Sequence, residues 1–165
     1  MGDRSIAEGA SVFVLFKYLH VLTMFAAVAA AVVPELVLHA VARRRDVAGL
    51  RGFLPIAERA GKLIPMLFVT GLVFGLIAAV AGEFDLLRPW LIASYVLFAL
   101  AMGIGMILSD PWAKRLGEAA FASSADAPSA ELQAAIHDRR GVIGSTLLMT
   151  MIVVILFLMV VKPGG

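Results

Sequence analysis

The residues with chemical capacity gather in one stretch, "FKYLHVLTMFAAVAAAVVPELVLHA", residues 16–40, where Lys17, His20, Pro34, Glu35 and His39 interrupt a run of alanine, valine and leucine. Imidazole ligates haem iron and other metals, and its charge changes near neutral pH. Lys17 and His20 are three residues apart and share a helix face, as do Glu35 and His39, which are four apart. An ionisable group inside an apolar span is a functional candidate, because its burial must be offset by a partner or a cavity. At a membrane interface that cost largely disappears, so depth decides between a site and the two ends of a span.

At 1.5 Å per residue His39 lies about 6 Å from Arg43 along a helix and His20 about 35 Å from it. His39 is thereby read as interfacial. The two histidines, 19 residues and about 28 Å apart, cannot both be axial ligands of one haem in a monomer. A haem at His20 needs a non-histidine ligand, the same residue of a second subunit, or nothing on its other side. Glu35 is one turn deeper than His39, beside Pro34, whose ring leaves the carbonyl of Ala30 without its usual donor. A kink beside a carboxylate would line a small polar cavity.

The elements that carry these residues follow from composition. The chain of 165 residues is 61% hydrophobic and 16% charged, with a mean hydropathy of +0.96, far above a soluble domain. Its apolar residues fall in blocks of spanning length, about 20 residues each, without the ten-residue alternation of a membrane barrel. The expected fold is all-α, a polytopic membrane protein with a single four-helix bundle, its spans covering about 12–42, 61–82, 88–109 and 141–161. The first block is too long for a signal-peptide h-region and has no clear small-residue cleavage site, so it is expected to be retained.

Lysine and arginine orient the bundle. Arg43, Arg44, Arg45, Arg51, Arg59 and Lys62 lie between spans one and two, and Lys114, Arg115, Arg139 and Arg140 between three and four. The loop between spans two and three has only Arg88 and the tail only Lys162, so the positive-inside rule places both termini outside. The cytoplasmic segment 110–140 reads as a connector, flexible at "ASSADAPSA" and helical from Pro128 into span four.

Gly71 and Gly75 form a GxxxG spacing in "TGLVFG", and Gly103 and Gly105 lie in span three; all are read as helix-packing positions. Trp90 and Trp112, at opposite ends of span three, are expected at the headgroup level. Met102 and Met106 are better read as core filler than as a copper path, and His137, beside Asp138 and Arg139, as a solvated residue. The chain has no cysteine, which excludes disulfides, thiolate catalysis and cysteine-ligated zinc or iron–sulfur centres within it. The net charge of +2 is scattered without a basic run interleaved with aromatics, so no nucleic-acid partner is expected; the bilayer itself is the expected partner.

The pieces "FKYLH", "PELVLH", "TGLVFG", "PWLIASYVLF", "DPWAKRL" and "LMVVKP" resemble a bacterial family of predicted four-span integral membrane proteins of unassigned function, over nearly the whole chain. The first span is also distantly similar to membrane protoporphyrinogen oxidases and to copper-resistance proteins of the D type, with Lys17, His20, Pro34 and His39 in the matching order. It departs from those oxidases at Glu35, where they have a basic residue, and in span three, which has no lysine. The resemblance implies contact with haem b at His20, with Lys17 on a propionate, in a redox or haem-handling protein of the bacterial inner membrane. Two other readings stand beside it: a non-catalytic subunit held in a homodimer or larger complex by its glycine faces, and metal or proton movement at Glu35 and His39.

Overall fold

The computed structural model describes residues 2–124 and 127–163, with side chains from Gly9 onward. All regular structure among them is helical: α1 (Gly2–Arg43), α2 (Val47–Ala81), α3 (Pro89–Ile104), a π turn (Gly105–Ser109), α4 (Asp110–Ala122), α5 (Ala130–Ile136) and α6 (Arg139–Val161). Four helical segments are long and apolar enough to cross a membrane, at 35, 35, 34 and 32 residues, and the apolar blocks of the sequence lie within them. At 1.5 Å per residue each is about 50 Å long and outreaches a hydrocarbon core of about 30 Å.

Local chemistry sets the helix ends. Arg45 takes a left-handed conformation (φ 57°) to turn the chain after α1, and the Asp46 carboxylate then accepts from the Gly49 N–H at 2.8 Å to cap α2. Pro89 opens α3 at a position where a missing N–H costs nothing. The π turn precedes Pro111, which cannot donate to a carbonyl of the preceding turn; the ladder widens there, with the Asp110 N–H donating to the Gly105 carbonyl. Ser129 and Asp138 cap α5 and α6 through the N–H groups of Leu132 and Arg140, at 3.2 and 2.9 Å.

The helices associate mainly as two pairs, α1 with α2 and α3 with α6. In the first pair Phe16 meets Phe74 at 5.8 Å between centroids and Met24 lies over Gly71, where a Cβ would stand 3.0 Å from its Sδ. The second continues into the π turn, where Gly144 of α6 faces Ser109 and Leu108. Phe68 and Phe98, at 5.6 Å, bridge α2 and α3. At the end bearing Lys162, the ammonium sits 4.8 Å from the Phe84 ring centre and 5.7 Å from that of Trp90.

The opposite, basic end has a core of the kind found in water-soluble proteins. Leu38 and Ala42 of α1, Val47 and Leu50 of α2, Trp112, Leu116, Ala119 and Ala120 of α4, and Leu132 of α5 are packed together and buried. In the segment read as a connector, α5 is the helix expected after Pro128, and α4 and α5 together supply most of that core; Ala125 and Asp126, within the stretch read as flexible, lie outside the described residues. Both tryptophans are buried within the chain, Trp112 at 1% exposure and Trp90 at 6%. The Trp112 indole donates to the Ala135 carbonyl at 3.0 Å, and Gly141 leaves room for its ring. Arg51, read from sequence only as a topology charge, donates to the carbonyls of Ala120, Phe121 and Ser123, which end α4 without internal donors.

Candidate functional site

The polar residues of α1 fall into two separate constellations. His20 lies against α2: its ring packs over Gly75, where a Cβ would come within 2.7 Å of Nδ1, and Nδ1 is 2.7 Å from the carbonyl oxygen of Gly71. A carbonyl can only accept, so Nδ1 carries the proton and donates it. In the neutral ring this leaves Nε2 as a bare lone pair, with no hydrogen bond among the described residues. The glycine spacing in α2 is therefore a seat for α1 within the chain, and His20 is held by both of its glycines. A Cβ at Gly103 or Gly105 would meet open space, so neither is a close-packing position in the chain; Gly141 and Gly144 of α6 are. Lys17, one turn before His20, is exposed, with its ammonium 5.5 Å from the Phe13 ring centre and no ion pair among the described residues.

Near the C-terminal end of α1, His39 and Glu35 face α6. Nε2 of His39 is 3.0 Å from the Ser145 hydroxyl, and the Ser145 hydroxyl is itself 2.6 Å from the Gly141 carbonyl. Ser145 has a single proton and only the carbonyl requires it, so its oxygen accepts from His39 and Nε2 is the protonated nitrogen. Glu35 Oε1 is 3.3 Å from the same nitrogen, an ion-pair distance without hydrogen-bond alignment; that oxygen is buried and has no hydrogen-bond donor. The imidazole stacks on Trp112, centroids 4.7 Å apart and planes at 19°. The Asp110 carboxylate, at the start of α4, lies within electrostatic reach of Glu35. The deeper carboxylate of α1 thus borders a groove of about 410 Å3 between α1 and α6, while α1 continues through Pro34 without interruption.

Neither His137 nor the methionine pair makes a hydrogen bond to either constellation among the described residues. His137 is exposed and hydrogen-bonded through Nδ1 to the Gln133 carbonyl at 2.7 Å, and Met106 is 67% exposed. No group of three or more His, Cys, Asp or Glu placed to hold a metal occurs among the described residues. Sequence reasoning missed Ser145, Asp110 and the burial of Trp112. The hydroxyls Ser145, Thr146 and Thr150 in an otherwise apolar block were a usable signal, because hydroxyls in a membrane helix mark faces that meet other helices.

Residues 14–163 match the family described as predicted integral membrane protein (DUF2269), and the chain belongs to that family. No curated protein and no solved structure matches it.

Proposed function

We propose that this member of the family is a haem-handling or haem-associated redox protein, with Nε2 of His20 as the axial ligand of a haem b. One observation carries the reading: the Nδ1–H donation to the Gly71 carbonyl, which orients the ring and selects the tautomer with Nε2 free. Donation of the far ring proton to a backbone carbonyl is the usual arrangement of a metal-ligating histidine, and it raises the basicity of the ligating nitrogen. Lys17, on the same face and without an ion pair, supplies a cation for a propionate. Nε2 of His20 would hold the iron through a single bond. His39 is about 28 Å away along α1 and engaged with Ser145, so it does not supply a second. When bound, haem would bring one-electron chemistry or would itself be the cargo; the chain's own residues orient the imidazole. The resemblance of the first span to haem-related membrane proteins supports the same assignment. The orientation that goes with it is the bacterial inner membrane with the basic end in the cytoplasm and both termini outside.

The absorption spectrum of the purified protein, with haem supplied during expression, tests the reading. A Soret band that is lost in His20→Ala and kept in His39→Ala is the expected result. Absence of a band, or a band unchanged in His20→Ala, overturns it; consistent co-purification of haem-free protein with the same partners points instead to an accessory subunit. Because the chain has no native cysteine, single cysteines at Ser124 and Pro163 test orientation, with labelling by an impermeant reagent expected only at Pro163.

A further inference from the structure

The seam between α1 of one helix pair and α6 of the other is left as the groove of about 410 Å3. Its walls are apolar at Leu36, Val142 and Met149, and it is open, with Leu36 59% exposed and Val142 49%. In a bilayer a void with such walls is filled by hydrocarbon, because lipid tails are as apolar as leucine.

The depth of the groove follows from the opposite end of the helices. Lys17 of α1 lies 5.5 Å from the Phe13 ring centre, Phe13 meets Phe84 at 6.0 Å, and Lys162 lies 4.8 Å from Phe84, so the two lysines mark one level. A hydrocarbon core takes about 20 helical residues, which counted from those lysines reach Val37 on α1 and Val142 on α6. Arg43 stands about 9 Å beyond Val37, and its guanidinium, laid back along its own methylenes, reaches the headgroup layer.

The charge at that level is positive. Arg43 lines the mouth of the groove, is exposed, and has no hydrogen bond or ion pair from its side chain among the described residues. On the facing wall Arg139, exposed and equally unpaired, stands one turn from Val142 on the same face of α6. The acids of the two helices are engaged: Glu35, about 12 Å deeper than Arg43, is 3.3 Å from His39, and Asp138, which caps α6, pairs with Arg115 at 2.9 Å. Asp110 is not among the residues that line the groove. A basic mouth between membrane helices, above an apolar cleft, is the chemistry that takes an anionic lipid headgroup with its chain.

We infer that the seam between α1 and α6 holds one anionic phospholipid, its phosphate on Arg43 and Arg139 and an acyl chain along Leu36, Val142 and Met149. The site uses neither His20 nor a haem.

Native mass spectrometry of the full chain in detergent, titrated with phosphatidylglycerol or phosphatidylcholine, tests the inference. One phosphatidylglycerol per chain is expected to bind first, about fivefold or more tighter than phosphatidylcholine, the factor a basic side chain supplies toward an anionic lipid. Arg43→Gln lowers the affinity for phosphatidylglycerol about fivefold and leaves that for phosphatidylcholine unchanged, and Arg43→Lys keeps most of it. Arg59→Gln, which removes an exposed arginine of α2 outside the groove, has no effect. Thr146→Trp fills the groove with both arginines intact and abolishes the site for either lipid; if one of these variants does not fold, the other decides alone. Equal binding of the two lipids by the wild type overturns the inference, as does phosphatidylglycerol binding unchanged in Arg43→Gln or in Thr146→Trp. An equal loss in Arg59→Gln also overturns it, since the attraction would then belong to the whole basic end. Displacement of the lipid by excess inorganic phosphate does the same, by making the mouth a site for a free anion.

Discussion

The two ends of this molecule are held together by different physics. At the basic end, Leu50, Trp112, Leu116 and Leu132 are fully buried and Arg51 closes the α4 terminus, as in a protein that folds in water. Toward the middle of the helices the large apolar side chains face outward, Phe25 at 73% exposure and Val69 at 55%, and the inward contacts are made by Gly71, Gly75, Gly144 and a few polar groups. Water drives apolar burial at the first. Lipid tails give no such drive at the second, so close backbone approach and hydrogen bonds between helices do the work.

The contrast can be broken most severely at Trp112. Trp112→Ala empties the centre of the basic-end core and is expected to cost about 3–5 kcal/mol, read as a large fall in the thermal unfolding midpoint in detergent. It also removes the ring on which His39 stacks. In the apolar body the comparable test adds one methyl group: Gly75→Ala sets a Cβ 2.7 Å from His20 Nδ1, and about 1–3 kcal/mol of destabilisation is expected as α1 is pushed away. The same variant should lose any Soret band that His20→Ala loses. A neutral outcome in both measurements would show that α1 is not seated on the glycines.

A smaller effect sharpens the comparison where the two regions meet. Ser145→Ala removes the acceptor of the His39 N–H and is expected to cost about 1 kcal/mol, with the His39 ring resonances shifting in nuclear magnetic resonance spectra. The smallest effect belongs to Gly103, where a Cβ meets nothing: Gly103→Ala should be neutral or stabilise by up to about 1 kcal/mol through helix propensity. Marked destabilisation there would reveal a contact outside the single chain.

Much of the fold was legible because membrane-spanning segments are written in local composition. The four apolar blocks, the basic end and the glycine pair Gly71 and Gly75 are each visible within a window of about 20 residues. Within 110–140 the helix after Pro128 was legible, but the packing of α4 and α5 was not, because it comes from burying Leu116 and Leu132 beside Leu38 and Leu50, far away in the chain. Trp112 resembles an interfacial anchor by position and becomes a core residue only because α1, α5 and Gly141 surround it. Of the candidate residues, the separation of His20 from His39 followed from helix rise alone, whereas their partners Gly71 and Ser145 are 51 and 106 residues away.

The sequence by itself determined that the chain is helical, that four segments are long and apolar enough to span, and that His20 and His39 are about 28 Å apart along the first. Hydropathy, propensity and charge act over one or two turns, and these conclusions need nothing longer in range. Only the tertiary structure decided where each histidine points, which of its nitrogens carries the proton, and that Glu35 borders a groove. Those facts depend on the pairing register of α1 with α2 and α6, which is set by a few glycines and hydroxyls distant in sequence and leaves no local trace.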